Sequence, residues 1–232
     1  MGENITISID GGSLGAFVER PASGSGPVVV VLHEVFGVND DMRASCRELA
    51  EQGFIALAPD LFWRQEKGVD LSHWTDEEWK KGLALYQAYD RAQGAIDIAA
   101  IMEFAGSLPG AAGKVGLMGY CLGGLMTYLV SARHGADAGV AYYPGSAGDY
   151  ASEAKDIRSP LMIHLGEEDE FISKAAQQTI KSAVAQNPSV VVFSYPGCSH
   201  AFARHTGTHY DADAAALANG RTYAFLKERL EG

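Results

Sequence analysis

The chain has 232 residues, 47% of them apolar and 20% charged, with 27 glycines and a formal charge of −11. That length can bury a full core without disulfide or metal staples, and the acidic balance excludes nucleic acid and anionic membrane surfaces as main partners. Three scattered cysteines, Cys46, Cys121 and Cys198, make no disulfide framework and suit a reducing, cytoplasmic compartment.

The first residues carry neither the basic nor the apolar region of a signal peptide, so none is expected. Ile5, Ile7 and Ile9 alternate with polar residues, which reads as an opening strand over 4–10. Gly11-Gly12 then turns the chain into a second strand over 14–20. Pro27 opens a continuous apolar run, 28–32, of the kind buried on both faces of a sheet. Asn39 or Asp40 can cap a helix through Met42, Cys46 and Leu49 that stops at Gly53, and 54–58 is the next buried strand.

Residues 61–93 differ, being rich in aromatics and charge, with Thr75 and Glu78 placed as a capping box. A helical pattern follows over 94–106, then a short strand at 114–118 and a helix over 122–134. Three further strands are expected at 138–143, 161–165 and 190–195, with helices over 173–186 and 211–230. The longest apolar stretch, 116–130, is too short and too broken by glycine to span a membrane. Apolar strands alternating with helices predict an α/β fold: a mostly parallel sheet, an antiparallel N-terminal hairpin, and helices on both faces. One domain over 1–232 is expected, with 61–93 as an excursion able to cover a site.

The chemistry starts at Gly119-Tyr120-Cys121-Leu122-Gly123-Gly124, between a strand and a helix. This has the Gly-x-nucleophile-x-Gly form of a nucleophile elbow, with cysteine where serine is usual. A buried, inert cysteine at a glycine-rich junction would leave the same local pattern, so the rest of the chain has to decide. In the α/β-hydrolase order the nucleophile is followed by an acid and then a histidine, each on a loop after a later strand. Asp169 in Gly-Glu-Glu-Asp-Glu-Phe and His200 in Gly-Cys-Ser-His-Ala-Phe meet that requirement. Among the neighbouring acids, Asp169 is preferred over Glu167, Glu168 and Glu170 because a short carboxylate is fixed more rigidly against an imidazole.

His33-Glu34-Val35-Phe36-Gly37 follows the strand at 28–32, where this fold takes one oxyanion-hole N–H. Val35 and Leu122 are therefore the expected backbone donors, and Glu34 faces the same edge. Arg204 can clamp an anionic substrate. His205 and His209 have helical spacing but no Cys or carboxylate cluster beside them with zinc-like intervals, so no metal is expected.

These residues resemble the dienelactone hydrolase (carboxymethylenebutenolidase) family of the α/β-hydrolase superfamily. The resemblance rests on the Cys121 hexapeptide, Glu-Val-Phe-Gly-Val at 34–38, Pro59-Asp60-Leu61-Phe62, His-Ala-Phe-Ala-Arg at 200–204, and Ala-Ala-Ala-Leu-Ala-Asn at 214–219. It implies a cytoplasmic enzyme without cofactor that opens 4-carboxymethylenebut-2-en-4-olide to maleylacetate during aromatic-compound breakdown. Cys121 would be the nucleophile, Asp169 and His200 its partners, Glu34 a control on thiolate formation and Arg204 a ligand for the substrate carboxylate. The expected partner is a small anionic lactone or ester substrate, and the chain is expected to be a monomer. The family also carries a second carboxylate-binding arginine after the Pro-Asp-Leu strand end. Here the stretch reads Glu-Glu-Trp-Lys-Lys-Gly-Leu at 77–83, leaving Lys80 or Lys81 to serve as a point charge. A related ester or lactone is the alternative substrate.

Overall fold

In the computed structural model, which describes residues 2–231, eight strands form one sheet in the order β1-β2-β4-β3-β5-β6-β7-β8. The strands are β1 (Glu3–Ile9), β2 (Gly12–Glu19), β3 (Gly26–Leu32), β4 (Ile55–Pro59), β5 (Ala111–Tyr120), β6 (Ala138–Tyr142), β7 (Leu161–Gly166) and β8 (Val190–Tyr195). The helices are α1 (Asp40–Glu51), α2 (Asp76–Ala88), α3 (Arg91–Gly106), α4 (Leu122–Arg133), α5 (Lys174–Val184) and α6 (Ala212–Leu230). β1 pairs antiparallel with β2, and β2 antiparallel with β4, while every later pair is parallel. The hairpin turns through Gly11 and Gly12, whose φ of 86° and 148° side chains rarely adopt.

The apolar run of β3 sits between β4 and β5, and Val28 to Leu32 are buried throughout. A strand covered on both faces has no polar side to alternate with, which is why its sequence reads as a block. β5 begins earlier than the pattern predicts, because Ala111 pairs with Gly26, and ends later, because Tyr120 pairs with Tyr142. Backbone pairing extends the strand through glycines that a side-chain pattern does not register.

Capping fixes the helix starts. Asn39 accepts from the Met42 N–H at 3.2 Å and opens α1, whose buried stripe is Met42, Cys46, Leu49 and Ala50. Thr75 accepts from the Glu78 N–H, and Glu78 reaches back to the Ser72 N–H at 2.9 Å, which nails the start of α2. Asp90 caps α3, one turn earlier than the sequence pattern places that helix. Asp97 of α3 is buried and gathers Arg64, Trp63 and Gln93, tying the 61–93 excursion to the body of the protein. A 3-10 segment, Ala147–Asp156, follows β6 and has no periodic apolar signature in the sequence. No helix of the described residues is long and apolar enough to cross a membrane.

Away from the carboxyl edge, His164 of β7 is fully buried between the Tyr195 hydroxyl at 2.8 Å and the Thr222 hydroxyl at 3.0 Å. Burial and the nearby Arg221 push its pKa down to about 3. His33 is also fully buried, and burial pushes it down to about 4 against the opposing bond to the Glu34 carbonyl. Both rings are therefore neutral in the fold and must charge to match the unfolded chain. The unfolded state binds more protons below pH 6.5, so stability is intact above that pH and is lost as pH falls toward 4. The expected loss is on the order of 3 kcal/mol for each ring, read as a falling urea midpoint between pH 7 and pH 4.5. A midpoint that holds constant over that range contradicts the assignment.

Candidate active site

The carboxyl ends of β3, β5, β7 and β8 converge on one cavity of about 580 Å³. Cys121 follows β5 directly and has φ 52° and ψ −109°, a conformation that costs a non-glycine residue energy and survives only where the surroundings impose it. They do so by close approach. A Cβ at Gly119 would collide with the Gly123 carbonyl oxygen, and one at Gly123 with the Leu32 carbonyl oxygen. The Cys121 N–H donates to the Tyr142 carbonyl at 3.1 Å and the Gly123 N–H to the His33 carbonyl at 3.1 Å. Cys121 is thereby held as the N-cap of α4, with the positive end of that helix behind its sulfur.

Asp169 and His200 reach this point from the loops after β7 and β8. The His200 Nδ1 lies 2.7 Å from Asp169 Oδ2, and Asp169 Oδ1 accepts from the Phe171 and Ile172 N–H groups at 2.8 and 2.9 Å. Since the carboxylate only accepts, Nδ1 carries the proton and Nε2 is left free to take one. Nε2 is buried, with no well-formed hydrogen bond among the described residues. Burial opposes charge on this ring, but the Cys121 sulfur and the Asp169 carboxylate outweigh it and raise its pKa to about 10. The acid and histidine loops are laced together: Glu168 N–H donates to the Cys198 carbonyl, and Glu170 accepts from the His200 N–H. Ala201, just after the histidine, has φ 59°, so the turn that aims the ring is itself strained.

Glu34 and Arg204 form a buried pair at 3.3 Å beside the cysteine. One carboxylate oxygen of Glu34 and the Nε of Arg204 have no partner among the described residues, although both atoms are buried. The Tyr143 hydroxyl is in the same position. Burial chiefly, then Glu34, hold that phenol well above its ordinary pKa, with Arg204 and Cys121 among the charges acting on it. With His200 Nε2 these make four buried polar atoms without a partner in the same site, an expensive arrangement for a purely structural core. The His33 ring fixes this loop, with Nε2 accepting from the Leu61 N–H at 2.9 Å and Nδ1 donating to the Glu34 carbonyl.

A family model described as the dienelactone hydrolase family matches residues 14–230. The chain belongs to the dienelactone hydrolase family. It is 40% identical to a putative carboxymethylenebutenolidase of Azospirillum brasilense, covering 95% of this chain and 96% of that protein. It is 38% identical to the carboxymethylenebutenolidase of Pseudomonas putida, over 97% of this chain and 95% of the other. Among solved structures, a putative dienelactone hydrolase from Klebsiella pneumoniae superposes with a TM-score of 0.85 at 27% identity, covering 98% and 99% of the two chains. The dienelactone hydrolase-like phosphotriesterase P91, at 21% identity and a TM-score of 0.80, shares the fold. Membership makes this protein a carboxylic ester hydrolase with the α/β-hydrolase fold.

Within this dienelactone hydrolase family member, Glu34, Val35, Cys121, His200 and Arg204 all line the cavity, and Asp169 stands behind His200. The Val35 N–H has no acceptor among the described residues, and the Leu122 N–H opens α4, where the first turn lacks intrahelical partners. Lys80 and Lys81 are placed otherwise. Both are exposed on α2, neither lines the cavity, and Lys81 pairs with Glu66 at 2.6 Å. The expectation that one of them faces the substrate is corrected by helix phase: Trp79, Leu83 and Tyr86 occupy the cavity side. Cys198 is buried outside the cavity, with burial and then Asp211 raising its thiol pKa. His205 approaches Glu48, and His209 approaches Glu170.

Several site residues escape sequence reasoning. His73 lines the cavity between Asp41 and Thr206, and Phe171 stacks edge-on against His200 at 5.0 Å. Tyr143 packs its ring against His200 at 4.8 Å. None belongs to a spaced motif; the available signal for Tyr143 was its position directly after a buried strand.

Proposed function

We propose that the protein opens an activated lactone of the dienelactone type through a covalent intermediate on Cys121. What carries this reading is a strained cysteine at a helix N-terminus, served by a His200–Asp169 pair and flanked by the buried Glu34–Arg204 pair. The Cys121 thiolate attacks the lactone carbonyl, and the Val35 and Leu122 N–H groups hold the oxyanion that forms. Collapse breaks the ring C–O bond, the enolate leaves and takes a proton from His200, and the acyl group remains as a thioester on sulfur. Water then attacks the thioester, giving a proton to His200, and the thiolate is released with the acid product.

Roles for the neighbours follow from their charges. His200 as imidazolium stabilises the thiolate, which a ring held near pKa 10 can do at neutral pH. In this reading Glu34, supported by its one unpartnered carboxylate oxygen, takes the thiol proton, and Arg204 fixes that carboxylate while its unpartnered Nε serves a substrate carboxylate. Such a substrate relieves the orphan donor, so binding and thiolate formation are coupled through one ion pair.

The test is turnover of 4-carboxymethylenebut-2-en-4-olide before and after treatment with one equivalent of iodoacetamide, with the modified cysteine mapped by mass spectrometry. Hydrolysis that disappears in step with Cys121 alkylation is expected. Full activity with Cys121 quantitatively alkylated refutes the mechanism. A second reading, a related esterase with a different small ester, is favoured by one observation: α2 offers the cavity aromatic side chains where a second cation was expected.

A further inference from the structure

The cavity is larger and more apolar than a six-carbon lactone needs. At about 30 Å³ per water molecule, 580 Å³ holds about twenty waters, whereas the lactone has only about ten non-hydrogen atoms. Pockets of this size enclose ligands of drug-like dimensions. Charge points the same way. The cavity is lined by two carboxylates, Glu34 and Glu170, and by one guanidinium, Arg204, already paired with Glu34. Glu170 is engaged by the His200 N–H and by His209 at 3.2 Å. This wall suits at most one negative charge.

Exposed apolar surface is concentrated at the mouth. Seven large apolar side chains among the described residues are exposed, and three of them, Trp74, Leu83 and Phe171, border this cavity. Trp74 is 65% exposed and Phe171 57% exposed, a cost in water that a bound apolar group would relieve. Behind them Trp79 is fixed, its indole N–H donating to the His73 carbonyl at 2.9 Å and its ring edge-on to Phe36 at 4.8 Å.

The geometry also says which half of the substrate this wall meets. His200 protonates the leaving group, so the leaving group lies on the His200 and Phe171 side. The carbonyl oxygen points to Val35, and α2 packs directly on Val35, with Gly82 so close that a Cβ there would press on the Val35 carbonyl oxygen. With the leaving group on the Phe171 side and the oxygen at Val35, the stretch of cavity lined by Trp79, Leu83 and Trp74 is what remains for the acyl part. Resting on the hydrolase reading above, we infer that the preferred substrate is an ester or lactone whose acyl part carries a bulky apolar or aryl group, with no more than one carboxylate.

Two esters with the same leaving group isolate this wall: p-nitrophenyl acetate and p-nitrophenyl 3-phenylpropanoate. Each forms a thioester on Cys121 by losing p-nitrophenolate, and water then releases the acid. Burying the phenyl group against this wall raises kcat/KM for the phenylpropanoate over the acetate by roughly ten- to a hundredfold. The ratio of the two rates is the readout, and it falls about tenfold in Leu83→Ala and in Trp74→Ala, exposed positions where folding is not at stake. A wild-type ratio near one, or a ratio that both variants leave unchanged, overturns the inference while the hydrolase reading stands. If neither ester nor the dienelactone is hydrolysed, the hydrolase reading fails and the inference with it.

Discussion

Replacing Cys121 by alanine lowers kcat/KM on any ester or lactone this protein hydrolyses by on the order of 10⁴-fold or more. The size follows from covalent catalysis: without sulfur there is no acyl-enzyme, and only the oxyanion donors and binding remain to act on water. The fold should survive, because alanine occupies the φ of 52° no less readily than cysteine and the flanking glycines keep strand and helix in contact. An unchanged thermal midpoint alongside lost turnover is the expected pair of results. An alanine variant within tenfold of the wild type would remove cysteine from the mechanism. Serine at this position recovers part of the activity at most, since a hydroxyl needs a true general base where a thiolate needs only a counter-charge.

Asp169→Asn is the second large effect, a fall in kcat of about 10⁴-fold with KM little changed. The Asp169 Oδ1 accepts two backbone N–H groups, so the amide oxygen of asparagine takes that place and its NH₂ turns to His200 Nδ1. That donor favours the neutral ring with its proton on Nε2, so the imidazolium that faces the thiolate is lost and the ring can no longer accept a proton from water at Nε2. Burial works to lower the pKa of His200, and the carboxylate is, after the Cys121 sulfur, one of the influences that raise it against that burial. Removing the carboxylate lowers that pKa, so the alkaline limb of the activity profile moves to lower pH. An asparagine variant with wild-type kcat and an unmoved profile would return Asp169 to a purely structural role.

The sequence revealed those parts of the site that depend on backbone order. A candidate nucleophile, acid and histidine in that order, on the loops after β5, β7 and β8, are a one-dimensional pattern, and Cys121, Asp169 and His200 meet because parallel strands deliver their carboxyl ends to one edge. Glu34 was visible for the same reason. The cavity wall was not, because it depends on how α2 is rotated. Lys80 and Lys81 carry the charge that a motif search looks for, but helix phase turns Trp79 and Leu83 inward. His73 and Tyr143 matter through three-dimensional neighbours, Asp41 and Thr206 for one and the His200 ring for the other, which no interval in the chain encodes. The start of β5 and the 3-10 segment escaped because backbone bonding, not side-chain periodicity, forms them.

The strand order distributes the catalytic parts unevenly with respect to local unfolding. Cys121 and the oxyanion loop follow β5 and β3, central neighbours whose amides should be among the slowest to exchange with solvent. His200 follows β8, the edge strand, whose residues are mostly half-buried. On the mechanism proposed above, fraying from that edge carries away His200, the proposed proton-transfer group, while Cys121 stays folded in the middle. With those roles, partial unfolding is expected to stop turnover before it uncovers the Cys121 thiol, leaving a damaged molecule inactive rather than indiscriminately reactive.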